Sequence, residues 1–214
     1  MKYIIKHSCN TKEVGYVSWG QAELTDPYNA NELLDEDKTV KTISVRMHKR
    51  AKLTDMLSCF RLGISNNFII SKQLRTILED FKIQPHLFVD CNVEKPNGDI
   101  LKYSVLHFQG NQFFEMVDFK KSIFRITYTI SFPLKGNEPI IEINNYSDFM
   151  QKEKELDSQG LIIRLDKYVI NEEYKDKYDV YTFFPFDSGV FISKELRDVI
   201  VDNNLTGLKI IEVD

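Results

Sequence analysis

Few residues in this chain combine the types and the spacing that chemistry requires. Ser71-Lys72 and Ser193-Lys194 each open an apolar-periodic segment. A helix N-terminus there can attract an anion. A serine at that place already serves as an N-cap, and no Gly-rich loop lets a ligand reach the backbone, so capping is expected. His7 and Cys9 stand two apart and can share a strand face, whereas His48, Cys59, His86, Cys91 and His107 are scattered. The fixed ligand spacing of a metal site is missing, and no metal or cofactor is expected. Asp187-Ser188-Gly189 lacks the first glycine of a nucleophile elbow and reads as a turn. There is no phosphate-binding loop and no dinucleotide glycine pattern. Glu79-Asp80 and Glu172-Glu173 are sequence neighbours, so they point apart on regular elements and do not suggest an acid/base pair. His107 lies among apolar residues and reads as a hydrogen-bonded structural histidine. Cys91 reads as a small buried hydrophobe. No catalytic residue is expected, and the chain is read as a non-enzyme.

The elements that carry these residues are legible in places. Tyr3–Lys6, Val14–Trp19 and Val40–Met47 are strand candidates in an otherwise irregular stretch, residues 1–59. Phe68-Ile69-Ile70 is a short buried-strand signal. Ser71 then caps a helix whose Leu74, Ile77, Leu78 and Phe81 fall on one face. Pro96-Asn97-Gly98-Asp99 is a turn between strands His86–Val93 and Leu101–Phe108, because Asn and Gly tolerate positive φ. Phe113–Val117 reads as another short strand. Ser122–Phe132 alternates apolar with polar residues, so one face meets the core and one meets water. Pro139–Ile143, Leu161–Ile170, Tyr178–Phe184, Val190–Ile192 and Leu208–Val213 are further strands. Helices open at Ser147 and Ser193. Ile70-Ser71-Lys72-Gln73-Leu74-Arg75 and Ile192-Ser193-Lys194-Glu195-Leu196-Arg197 match at an offset of 122 residues. Strand, Ser cap and amphipathic helix recur in many folds, which is one explanation; the shared Ser-Lys-x-Leu-Arg exceeds what a cap requires and favours the other, a duplicated strand–helix–strand unit. The expected fold is α+β, mainly antiparallel sheet with a few helices, in a single compact domain over residues 1–214.

Composition bounds the function. The chain has 214 residues, 43% hydrophobic and 28% charged, with only 9 Gly and 6 Pro, which excludes disordered, linker-like and collagen-like classes. No apolar run exceeds three residues, so no membrane span and no secretory signal are expected. Three cysteines cannot all pair internally, and reduced thiols in a cytoplasm are the simplest reading. The net charge of −4 argues against sequence-independent nucleic-acid binding. Charge is uneven: Glu23, Asp26, Glu32, Asp35, Glu36 and Asp37 face only Lys38 in residues 22–38, and Lys41, Arg46, Lys49, Arg50 and Lys52 follow. Such runs usually solvate a face. The functional alternative is an acidic segment that steers a basic partner.

The C-terminal phrase Ser188-Gly189-Val190-Phe191-Ile192-Ser193-Lys194-Glu195-Leu196, followed by Asn204-Leu205-Thr206-Gly207-Leu208, resembles the closing signature of a bacterial immunity-protein family, immunity protein eleven, formerly a domain of unknown function. Phe68 to Asp90 is similar to that family's strand–Ser–helix–strand unit. Val117-Asp118-Phe119-Lys120-Lys121-Ser122 resembles its turn into the central strand. The resemblance covers residues 60–214, about 70% of the chain, and rests on short structural motifs. It implies a cytoplasmic protein that binds and neutralises a cognate toxin by stoichiometric contact, with no catalysis of its own. The acidic residues Glu23, Asp26, Glu32, Asp35, Glu36 and Asp37 are the expected toxin contacts. The alternative is an enzyme or small-molecule-binding protein of unrecognised type, which requires a deep pocket with converging polar groups. A structural module of a larger assembly is a third reading, which an extensive exposed apolar patch favours.

Overall fold

The alternating strands and capped helices build an α+β fold with mainly antiparallel sheets. A computed structural model describes residues 2–15, 20–25, 42–60, 67–109, 112–128, 138–183 and 189–213. In chain order the described elements begin with β1 (Lys2–His7), α1 (Thr11–Val14), β2 (Ala22–Leu24), β3 (Ile43–Met47), β4 (Met56–Leu57) and β5 (Cys59–Phe60). They continue with β6 (Asn67–Ile70), α2 (Lys72–Glu79), β7 (His86–Glu94) and β8 (Ile100–Phe108). Then come α3 (Gln112–Met116), β9 (Ile123–Tyr128), β10 (Ile140–Ile141), α4 (Tyr146–Asp157) and β11 (Leu161–Lys167). The last are β12 (Val180–Thr182), β13 (Val190–Ile192), α5 (Lys194–Asp202) and β14 (Leu208–Val213). The chain divides into two compact units, Met1–Gly110 with Tyr178–Asp214, and Asn111–Lys177.

In the first unit one sheet has the order β4-β6-β8-β7-β3-β2-β5. Its two end strands, β4 and β5, are separated by Ser58 alone, so the sheet closes on itself as a small barrel. The Ser58 carbonyl accepts the backbone N–H groups of Gln21 and Ala22 at the seam. Leu57, Ile69, Val89, Cys91, Val93 and Val105 fill the interior with Ile43, Val45 and Ala22. A barrel of this size is packed with side chains rather than hollow. Cys91 is fully buried, as its strand position predicts, and burial pushes its thiol up to about 12. The barrel's outer side shares a second core with the sheet β12-β13-β1-β14. Strands β6 and β8 are therefore buried on both faces, which explains the unbroken Phe68-Ile69-Ile70 and Val105-Leu106 runs.

The sequence echo is a structural duplication. Ser71 and Ser193 cap α2 and α5 with nearly the same backbone, φ −65°, ψ 163° and φ −68°, ψ 163°. Each Oγ accepts the N–H three residues on, from Leu74 at 3.1 Å and Leu196 at 3.3 Å. Leu74 and Leu78 match Leu196 and Ile200, all buried in the shared core. The correspondence extends to the sheets: β4-β6-β8-β7 matches β12-β13-β1-β14 in order and direction. The second copy borrows β1 from the N-terminal end of the chain. Residues 2–60 thus supply strands to both sheets.

In the second unit the sheet order is β10-β9-β11, with α4 packed against β11. Phe124, on the core face of β9, is packed with Phe119 and Phe149, the latter from α4. On the other face Arg125, Arg164, Asp166 and Glu138 form an ion network, with Arg164–Glu138 at 2.7 Å and Arg125–Asp166 at 2.8 Å.

Three local expectations change. Residues 113–117 read as a strand, but 113–116 wind into α3, with Phe114 and Met116 buried, and the buried Val117 forms an isolated antiparallel bridge with Ile170. Val14, expected to begin a strand, ends α1, because the Asn10 side chain caps the Lys12 N–H at 3.1 Å. Residues 16–19 of that candidate lie outside the described residues, as do residues 129–132 of the alternating strand. The fourth helix starts one residue before Ser147, capped by Asn145, whose Oδ1 accepts the Asp148 N–H at 2.9 Å.

Candidate functional site

Of the acidic residues expected at a partner surface, Glu23 is described. It is exposed on β2, opposite Arg46 on one side and Phe60 on the other. Arg46 itself pairs with Glu94 at 3.1 Å. Asp26, Glu32, Asp35, Glu36 and Asp37 lie outside the described residues.

The two cap serines act as caps. Ser71 also donates its hydroxyl to Asp55 Oδ1 at 2.7 Å, so its oxygen is engaged twice. Cys9 is exposed past the end of β1, apart from the strand that carries His7. The His7 ring lies 5.8 Å from the Phe68 ring, and burial lowers its pKa to about 4. His107 Nδ1 lies 2.7 Å from Asn67 Oδ1, the structural role expected of it. Among the described residues no group of three or more His, Cys, Asp or Glu side chains could hold a metal ion. No described helix is long and apolar enough to cross a membrane.

Two carboxylates that the sequence does not single out organise the first unit. Asp55 Oδ2 accepts the Thr206 N–H at 2.9 Å and the Thr206 hydroxyl at 3.0 Å. Glu13 Oε1 accepts the Gly207 N–H at 2.6 Å, and its Oε2 accepts the Ser8 hydroxyl at 2.6 Å. Thr206 and Gly207 are 151 and 194 residues away in the chain from the carboxylates that hold them, beyond the reach of any local pattern. Gln21 is a third such group. Its buried amide joins Lys52 O, Thr54 Oγ1 and the Ser58 N–H at the barrel seam.

The first unit carries a groove of about 330 Å³ between α2 and the barrel wall. Lys72, Arg75, Thr76 and Glu79 line it from the helix; Asp90, Lys102, Tyr103 and Ser104 line it from β7 and β8. Tyr103 donates its hydroxyl to Thr54 O at 2.9 Å. Burial first, and the Asp55 charge second, push it up to about 12, so the phenol keeps its proton at neutral pH.

The second unit carries a larger cleft of about 580 Å³. Phe114, Val117, Phe119 and Tyr146 form its apolar surface. The Phe114 ring lies 4.1 Å from Tyr146 and 5.4 Å from Phe149, so the floor is fixed by aromatic packing. Glu115, Asp118, Lys120, Asn144, Asn145 and Asn171 form the rim. The rim is held from behind: Tyr174 donates to Glu115 Oε2 at 2.9 Å, and Asn171 Nδ2 donates to Glu115 O at 2.6 Å. A hydrogen bond from Lys121 keeps the Asp118 carboxyl below the usual carboxylate range. The cleft therefore joins an aromatic floor to a rim of carboxylates, amides and one lysine. The sequence shows Phe114 and Tyr146 only as aromatics; α3 and the Asn145 cap bring them together.

No family model matches the chain, and no curated protein matches it.

Proposed function

We propose that this chain is an immunity protein: it neutralises a cognate bacterial toxin by binding it in a stoichiometric complex. The resemblance of residues 60–214 to the immunity protein eleven family motivates the reading. The observation that carries it is the aromatic-floored cleft of the second unit. Apolar anchors ringed by polar groups are what the centre of a protein interface offers. Tyr146 is 36% exposed and Met150, one turn on along α4, is 43% exposed, so the apolar surface continues along the helix. Such a complex buries about 1,200–2,000 Å².

The test is to look beside the gene for one that encodes a large secreted protein with a C-terminal toxin domain, and to co-express that domain in bacteria with this chain. Rescue of growth and co-elution as a one-to-one complex are expected. Growth arrest with no complex overturns the proposal. A second reading, binding of a small molecule, draws on the cleft volume, which falls in the range of about 300–1,000 Å³ that such ligands use. Saturable binding of a metabolite without any protein complex selects it.

A further inference from the structure

The duplication shows what one half of the molecule lacks. In the second copy Tyr3 stands on β1 opposite Ile192, beneath α5. It is 5% exposed. Arg197 lies over its ring at 4.6 Å and donates to its hydroxyl at 2.9 Å. In the first copy the matching place on β8, opposite Ile70, is Ser104. Arg75, the counterpart of Arg197, reaches down to Ser104 Oγ at 3.0 Å. Where β1 of the second copy supplies a phenol ring, β8 of the first supplies a hydroxymethyl group beside the groove of about 330 Å³, and the ring that Arg75 covers is Phe88 of the neighbouring strand β7.

We propose that this groove receives the side chain of a tyrosine presented by a protein partner, which takes the place in the first copy that Tyr3 fills in the second. Arg75 is set for it. Its Nε is tied to Glu79 at 2.8 Å, and its guanidinium rests over the Phe88 ring at 4.8 Å. A guanidinium fixed before the ligand arrives loses little freedom on binding. An aromatic ring gains a cation–π contact from it that an aliphatic side chain does not. The charges that line the groove are mixed, Lys72, Arg75 and Lys102 against Glu79 and Asp90, which suits a neutral phenol over an ion. Asp90 can accept the phenolic proton's hydrogen bond from the opposite wall. The volume, about 330 Å³, is near the lower end of what small-molecule sites use, about 300–1,000 Å³. The inference holds whether or not the partner is a toxin.

The experiment titrates the full chain, labelled for backbone amide NMR, with N-acetyl-tyrosine amide and separately with N-acetyl-leucine amide. Saturable shifts at Arg75, Thr76 and Ser104 are expected with the tyrosine probe, and binding of the leucine probe at least about fivefold weaker. Ser104→Tyr gives the first copy the residue of the second and is expected to abolish the shifts. Arg75→Met is expected to weaken them by about fivefold, and serves if Ser104→Tyr does not fold. Equal binding of the two probes, absent shifts, or full binding by the variants overturns the proposal.

Discussion

Asp55 and Asp179 stand in equivalent places at the heads of β4 and β12, and each grips the turn that follows the other copy's helix. Asp55 Oδ2 takes the Thr206 N–H at 2.9 Å; Asp179 Oδ2 takes the Lys82 N–H at 3.0 Å. The backbone repeats the pattern. The Met56 N–H donates to Thr206 O and the Val180 N–H to Lys82 O, while Ser71 and Ser193 donate to the carbonyls of Asp55 and Asp179. Each helix is therefore held at its start by its own copy and at its end by the other. Loss of one grip should loosen both helices together.

The two grips are unequal, and mutation should show it. Asp55 accepts three side-chain hydrogen bonds, from Ser71, the Thr206 N–H and the Thr206 hydroxyl, whereas Asp179 accepts one from an exposed N–H. Asp55→Ala is expected to cost about 2–4 kcal/mol in urea unfolding and Asp179→Ala about 1 kcal/mol. Equal losses would mean that the side-chain bonds to Asp55 contribute little.

Glycine positions separate conformational strain from collision. Gly207 has φ +83°, and a Cβ there would sit 2.1 Å from Met56 O and 2.5 Å from Thr54 Oγ1. Gly98, in the β7–β8 turn, has φ +88° with open space around it. Gly98→Ala should cost about 1 kcal/mol from the backbone alone. Gly207→Ala must also push apart β4 and the turn before β14, and is expected to lose more than about 3 kcal/mol or fail to fold. Thermal midpoints of the two variants give the comparison.

His7 makes stability depend on pH. Its folded pKa, lowered by burial to about 4, lies below the ordinary 6.5. Its Nδ1 has no hydrogen-bond partner among the described residues. Between those values the unfolded chain binds a proton that the folded chain does not, so the contribution is present above pH 6.5 and is lost as pH falls toward 4. The loss is at most about 3 kcal/mol and is reduced where the half-buried ring meets water. His7→Phe should flatten this part of the stability–pH curve in urea titrations from pH 7 to 4. An unchanged slope assigns the dependence to other groups.

What the sequence shows of this fold follows from how local each cause is. The caps at Ser71 and Ser193 bond three residues away, and the Gly98 turn joins adjacent strands, so both are visible as patterns. Repetition of Ser-Lys-x-Leu-Arg discloses the duplication, but not that β1 completes its second copy, since that pairing joins the two ends of the chain. Barrel closure is invisible for the same reason: Gln21 and Ser58 meet only after the intervening strands are in place. Residues 113–117 mislead because alternate and helical spacing coincide in so short an apolar run, and tertiary packing of Phe114 decides. The cleft was hidden in turn, because its floor joins α3 to α4.

For the proposed toxin complex the acidic segment and the aromatic cleft are rival contacts, and kinetics can separate them. Charges at a distance act on encounter, whereas a buried aromatic anchor acts on dissociation. Reversal of Glu23, Asp26, Glu32, Asp35, Glu36 and Asp37 to lysine should lower the association rate by about tenfold at low salt and flatten its salt dependence, if that segment steers a basic partner. Tyr146→Ala leaves every charge in place and removes a ring that lies 4.1 Å from Phe114. It should raise the dissociation rate by about tenfold or more and leave association nearly unchanged. Stopped-flow association and surface-based dissociation at two ionic strengths measure both. A partner that ignores the charge reversal removes the acidic segment from the contact, and one that ignores Tyr146→Ala removes the cleft.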